Sequence, residues 1–219
     1  MNKLLTSMFA LAVASVTAFS AHAQEIKGDA KAGQQKIAMC IGCHGIHGYQ
    51  ASFPEIYRVP MISGQNAKYI VSSLNAYKKG ERKHPTMRGI ADTLTEQDMA
   101  DLGAYYEQHG NIQPATKTPK VPDAKVAALL QKGACISCHG ENFNKPIDPS
   151  YPKLAGQHKD FLYVALKSYK VENQSTWGRN NGVMGGIAKQ FSNAELKAMS
   201  AYIASLDGEM KVVPQSRFR

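Results

Sequence analysis

Two short stretches, "CIGCHG" at 40–45 and "CISCHG" at 135–140, use all four cysteines of the chain and place a histidine directly after each pair. Three chemistries use two thiols at this spacing. A dithiol redox pair has it, but within a βαβ context that the surrounding sequence lacks. A structural zinc could draw two thiolates from each stretch, yet each stretch lies in a half of the chain that reads as complete by itself. The third is covalent haem: two cysteines a turn apart add to the porphyrin vinyl groups, and the histidine that follows ligates the iron. We assign Cys40, Cys43 and His44 to one haem c, and Cys135, Cys138 and His139 to a second. A domain of under 100 residues has a limited core of its own, which a bonded apolar macrocycle would enlarge.

The second axial position decides between carrying electrons and binding small molecules, because a six-coordinate His/Met iron is closed to substrates. In the first half the candidates are Met39, Met61, Met87, Met99, His47, His84 and His109. Met39 adjoins an attachment cysteine, and His47 follows the motif too closely to cross the ring. Met99 falls on an apolar helical stripe, and His109 ends that helix, where a cation favours the dipole. Met61 is matched in the second half by Lys153. Met87 is matched by Met184: each stands eight residues before a helix cap, Thr95 or Ser192, in a Gly-containing loop that could reach the far side of the ring. The expectation is therefore Met87 and Met184 as iron ligands, with His84 as the rival in the first half.

These matches belong to an internal repeat, the feature to look for first in a chain of this length. "VPMISGQ" at 59–65 recurs as "YPKLAGQ" at 151–157, and "MRGIADTLTEQDMADLGAY" from Met87 aligns with "MGGIAKQFSNAELKAMSAY" from Met184. Between the copies, "GNIQPATKTPKVP" at 110–122 has the three prolines and polar residues of an extended linker. The organisation is then a first domain over 24–112, a linker over 113–122, a second domain over 123–209 and a basic tail over 210–219.

Each half reads as helices and loops, an all-α chain with no convincing strand pattern. Asp29 and Asp123 can cap short helices that lead into the cysteine motifs. A helix follows each "GQ", with Tyr69, Ile70, Leu74 and Tyr77 on its stripe in one copy and Phe161, Val164, Ala165 and Tyr169 in the other. The last helix of each half opens on a capping box, Thr95 with Asp98 and Ser192 with Glu195. Its apolar face is Met99, Leu102, Tyr105 and Tyr106, or Leu196, Met199, Tyr202, Ile203 and Leu206.

Residues 1–23 read as a cleaved secretory signal: Lys3, an apolar run from Leu4 to Phe19, then "AHA". The run is too short and too broken by Ser and Thr for a membrane anchor, so the mature protein is expected in the periplasm. The formal charge is +9, distributed as +2 over 24–118 and +6 over 119–219. A basic second half suits acidic partners or an anionic membrane surface; nucleic acid is disfavoured by export and by the lack of a basic run.

Two CxxCH domains in tandem, each with a "P-x-x-x-G-Q" block, a helix and a methionine segment ending "G-I-A", resemble the dihaem cytochrome c4 family of periplasmic electron carriers. The resemblance implies two tandem cytochrome c-like domains related by a pseudo-twofold axis, with haem propionates meeting near the interface. It also implies that the carbonyls of Pro60 and Pro152 accept a hydrogen bond from the proximal imidazoles. The partners it implies are redox proteins, a membrane-bound oxidase or a cytochrome bc-type complex. A dehydrogenase complex that uses the chain as its electron-accepting subunit is the alternative. A dihaem enzyme such as a peroxidase is disfavoured, because it needs one iron open or unusually ligated. One departure is "GIHGYQASFPEIYRV" at 45–59, unlike the short Gly-Asn-Ser type of loop of that family.

Overall fold

A computed structural model describes residues 26–109 and 120–214. The expected signal segment, most of the linker and residues 215–219 of the tail lie outside the described residues. The first half contains α1 (Ala30–Gln34), α2 (Ala38–His44), α3 (Ala67–Lys78), α4 (Pro85–Asp92) and α5 (Glu96–Gln108). The second repeats the order with α6 (Ala124–Lys132), α7 (Cys135–His139), α8 (Lys159–Ser168), α9 (Gly182–Ala188) and α10 (Asn193–Ser205).

The caps fall where the sequence places them. The Asp29 side chain accepts from the Lys31 and Ala32 amides, and that of Asp123 from the Val126 amide. Both capping boxes close reciprocally, Thr95 with Asp98 and Ser192 with Glu195, which satisfies donors that a helix start otherwise leaves unpaired. From these starts α5 and α10 run 13 residues each and turn their stripes inward. Met99, Leu102, Tyr105 and Tyr106 join Ile70 and Leu94 in one core; Leu196, Met199 and Ile203 join Leu129, Leu130 and Leu162 in another. Each such side chain contributes about 1.5–3 kcal/mol by leaving water. Truncating Leu102, 2% exposed, to alanine would cost about 2–5 kcal/mol through the cavity left behind.

Short strands are present, contrary to the expectation of none. β1 (Gln50–Ala51) pairs with β2 (Tyr57–Arg58), and β3 (Arg82–Lys83) pairs with β4 (Gly178–Arg179), both antiparallel. Two residues cannot display a period of two, so alternation could not announce them. The first ladder folds the unusual 45–59 segment into a hairpin; the second joins the two halves. The class remains helical.

The halves meet through several polar contacts. Arg58 pairs with Asp160 at 3.0 Å and Glu55 with Lys167 at 2.8 Å, so the 45–59 hairpin lies against the second half. The tail expected from residue 210 begins instead as part of this seam: Met210 is 4% exposed, and the Lys211 amide donates to the Ser63 carbonyl. Among the described residues no helix is long and apolar enough to cross a membrane.

Candidate cofactor pockets

In the first half both motif cysteines and His44 sit on α2, the cysteines a turn apart and the histidine following. They line a cavity of about 380 Å³ with Met87, Ile90, Leu102 and Tyr106 among its walls. The His44 ring nitrogen Nδ1 donates to the Pro60 carbonyl at 2.8 Å, which leaves Nε2 as the free nitrogen. In the second half His139 Nδ1 donates to the Pro152 carbonyl at 3.1 Å, the same arrangement. Burial lowers the pKa of both histidines and outweighs the carbonyl bond, so both rings are neutral near pH 7, the form that binds metal.

Burial also pushes the Cys40 and Cys135 thiols up. A redox-active pair needs the opposite, a thiolate stabilised near neutrality. The four-cysteine zinc alternative fails on placement, since Cys40 packs on one hydrophobic core and Cys135 on the other. Among the described residues no three His, Cys, Asp or Glu side chains gather to hold a metal ion. The pocket of the first half does fit a porphyrin: its walls are largely apolar, and they bring together two thiols, a neutral imidazole with a free nitrogen, and a thioether.

Met87 and Met184 occupy matching positions, but on helices rather than in the loops the glycines suggested. Each is the third residue of its helix, α4 or α9, and both are half-buried. Pro85 at the first helical position sets φ for the turn; Gly182 takes that position in the second copy, and the other glycines fall further along, where a short helix tolerates them. The residue three before each methionine caps the helix: His84 Nδ1 accepts from the Met87 amide at 3.3 Å, and Asn181 Oδ1 from the Met184 amide at 2.9 Å. His84 therefore has a role other than ligand. With Nδ1 accepting, Nε2 carries the proton and donates to the Tyr57 hydroxyl at 3.0 Å, so neither nitrogen is free.

The other rejected candidates are placed as follows. His47 is exposed, and Met39 is 48% exposed beside the motif. Met99 is fully buried in the core of α5. His109 differs from the expected dipole cation: burial lowers its pKa, its Nδ1 is 2.8 Å from the Ser63 hydroxyl, and its ring stacks on Tyr105. Met61 contributes its backbone, not its sulfur, as described below.

Sequence reasoning did not find Arg82 and Arg179. They face each other in the β3–β4 ladder, Arg82 over the Tyr69 and Tyr77 rings and Arg179 over Phe161 and Tyr169. Arg82 also lines the large cavity and donates to the Tyr69 hydroxyl at 3.1 Å. Burial would raise the pKa of that phenol, but the two guanidinium groups outweigh it and bring it to about 8. Two half-buried cations set among aromatic rings, one of them on the cavity wall, make this corner attractive to an anion. The matched "ERK" and "GRN" tripeptides were the available signal, obscured because they fall outside the aligned blocks.

The model of the cytochrome c family matches twice, over residues 30–109 and 124–207. The cytochrome c4 of Stutzerimonas stutzeri is 33% identical over 220 residues, spanning 94% of this chain and all of that protein. The crystal structure of reduced recombinant cytochrome c4 from Pseudomonas stutzeri superposes with a TM-score of 0.61 at 29% identity, covering 82% of this chain and all of that one. A thiosulfate dehydrogenase electron acceptor of Stutzerimonas stutzeri (strain A1501) is 28% identical, over 88% of this chain and 89% of its own length.

Proposed function

The chain belongs to the cytochrome c family as a tandem, dihaem member of the cytochrome c4 type, and from that premise we propose a periplasmic carrier of single electrons between respiratory partners. Two covalently bound haems c supply the reversible one-electron Fe(III)/Fe(II) couple. Cys40 and Cys43 are the thioether anchors of the first, Cys135 and Cys138 those of the second. His44 and His139, their rings oriented by the Pro60 and Pro152 carbonyls, would hold iron through Nε2. Met87 and Met184, each presented by the first turn of a capped helix, would supply the second ligand of each iron. With both ligands in place the iron would be closed to substrates and would change oxidation state with little rearrangement. Arg82 and Arg179 offer compensating charge to the carboxylates that a haem c carries.

The observation that carries this reading is the single cavity walled by Cys40, Cys43, His44 and Met87. The partners of the carrier are a cytochrome bc-type complex as donor and a membrane-bound oxidase as acceptor, met through the basic second half, whose formal charge is +6 over 119–219. Mass spectrometry of the exported protein is expected to show the added weight of two haems. Near-infrared spectra of the oxidised form are expected to show methionine-to-iron charge transfer for both irons, with no carbon monoxide binding after reduction. A high-spin component that binds carbon monoxide would overturn the carrier in favour of an enzyme.

A second reading has the likeness to the thiosulfate dehydrogenase electron acceptor in its favour. There the chain takes electrons directly from a periplasmic dehydrogenase subunit. Copurification of a catalytic chain with the native protein, and reduction by that chain at a rate exceeding reduction by a bc-type complex, would establish it over the free carrier.

A further inference from the structure

Each "P-x-x-x-G-Q" block ends in a glutamine that is 4% exposed, Gln65 in the first half and Gln157 in the second. Neither serves its own half alone. Gln157 Oε1 accepts from the Met61 amide at 3.0 Å, and its Nε2 donates to the Met61 carbonyl at 2.9 Å. Reciprocally, Gln65 Oε1 accepts from the Lys153 amide at 2.9 Å, and its Nε2 donates to the Lys153 carbonyl at 3.0 Å. The second proton of each amide nitrogen is taken by one thioether between them, Met210 Sδ, at 3.2 Å from Gln65 and 3.6 Å from Gln157.

The Met61 N–H belongs to the same peptide group as the Pro60 carbonyl, and the Lys153 N–H to the same group as the Pro152 carbonyl. Those carbonyls hold the two axial imidazoles. A hydrogen-bonded relay therefore runs from His44 through the Pro60–Met61 peptide to Gln157 of the other domain, and from His139 through Pro152–Lys153 to Gln65. We propose that Gln157 and Gln65 are positioning residues that set the reduction potential of the haem in the opposite domain.

The physical basis is polarisation. When a peptide N–H donates, its own carbonyl oxygen becomes more negative and a better acceptor, and away from water such chains reinforce each other. A stronger Pro60 acceptor draws the Nδ1 proton of His44 and makes Nε2 a more basic ligand. A more basic ligand favours the ferric state, so Gln157 lowers the potential of the first centre and Gln65 that of the second. The paired bond to the Met61 or Lys153 carbonyl holds the segment in place, so the proline oxygen keeps its aim.

This inference rests on the reading of His44 and His139 as iron ligands, and the experiment separates the two. Gln157→Leu and Gln65→Leu are made in the full exported protein, and haem content and low-spin spectra are recorded beside both midpoint potentials. Haem-specific NMR resonances assign each potential. Gln157→Leu is expected to raise the potential of the His44 centre and leave the other unmoved; Gln65→Leu is expected to do the reverse. Gln157→Glu keeps an acceptor at the Met61 amide and strengthens it, so the His44 centre is expected to move down. A role in packing alone would give the leucine and glutamate variants the same sign. Shifts of the same-domain centre, equal shifts of both, or no shift in protein that retains two low-spin haems would overturn the relay while leaving the ligands in place. If a leucine variant does not accumulate with both haems, the sign and location of the shift in Gln157→Glu decide. Wild-type protein without low-spin haem at these histidines would instead overturn the reading of the site.

Discussion

The N-terminal helix of the first domain lies on α5 through glycine and charge, whereas its counterpart in the second lies on α10 through leucine. A Cβ at Gly33 would sit 2.2 Å from the Asp101 carbonyl oxygen, and one at Gly28 would sit 2.1 Å from that of Ala100, so the backbones touch. Asp101, 2% exposed, is held there by the Asp29 amide, Lys36 Nζ and Gln97 Nε2, all within 2.8 Å. In the aligned second copy these positions are Ala198, Gln131 and Ala194, and Val126, Leu129 and Leu130 fill the space. One fold thus tolerates either a polar clasp or an apolar seam at the same junction. What the copies keep in common is the helix cap before the methionine, the imidazole-to-proline bond and the crossed glutamines.

If the common elements are what hold iron, breaking them should have equal effects in both copies, and these should be the largest. Met87→Ala and Met184→Ala are each expected to abolish half of the methionine-to-iron absorption and to open one iron to carbon monoxide. Loss from only one variant would mean that the copies differ in their ligand, and unchanged spectra in both would refute the assignment.

The polar clasp should make the first domain the acid-sensitive one. Burial alone would raise the pKa of Asp101, but Lys36, the Asp29 amide and Gln97 outweigh it, so the folded value is depressed. A carboxylate depressed by folding contributes stability above its unfolded pKa of about 4, and that stability is lost as pH falls through the lower folded value. Acid unfolding below about pH 4 is therefore expected to begin in the first domain, followed by haem-specific NMR. Asp101→Ala, which strips three buried bonds, is expected to destabilise that domain by on the order of 2 kcal/mol at pH 7. In Asp101→Ala the acid limb of the first domain should also flatten toward that of the second; an unchanged limb would remove the clasp as its cause.

Much of this architecture was legible in the sequence, because capping boxes and apolar stripes are local patterns that a period of 3.6 displays. Thr95, Ser192, Asp29 and Asp123 cap as read, and the repeat paired Met87 with Met184, which stand at matching helix positions. The helices under Met87 and Met184 were missed because glycine argues for a loop, while the capping role of His84 and Asn181 shows only when the two copies are laid on a structure. No motif or repeat singles out Asp101, and the 45–59 segment read as a loop unlike that of the family. The crossing of Gln65 and Gln157 was hidden for a deeper reason. Self-similarity marks a residue as repeated but does not say which copy its side chain reaches, and the backbone groups these two side chains bind lie 88 and 96 residues away in the chain.

The caps sharpen the comparison at a smaller scale, because His84 does two things where Asn181 does one. Tyr57 is 6% exposed, and burial pushes its phenol up to about 12, so its hydroxyl depends on the His84 bond. Asn181→Ala is expected to cost only the cap, about 1 kcal/mol. His84→Ala loses the cap and the Tyr57 partner, about 2 kcal/mol. In His84→Asn the cap is retained, and the cost falls to the stranded hydroxyl, about 1 kcal/mol. Thermal unfolding of the three variants checks the order; equal losses in His84→Ala and His84→Asn would show that the imidazole does not cap the helix.

The smallest effect is expected where the two copies share a single atom. Met210 Sδ accepts from both glutamines, and a thioether is a weak acceptor, so Met210→Leu keeps the volume and removes only two weak bonds. The stability loss should be about 1 kcal/mol or less, since each Nε2 retains its backbone carbonyl. Because the sulfur lies between the copies, any change in potential should have the same sign at both haems, unlike the glutamine variants, which act on one. A shift confined to one centre in Met210→Leu would mean that the thioether acts through one glutamine, and that the difference between its two bonds, 3.2 and 3.6 Å, decides the effect.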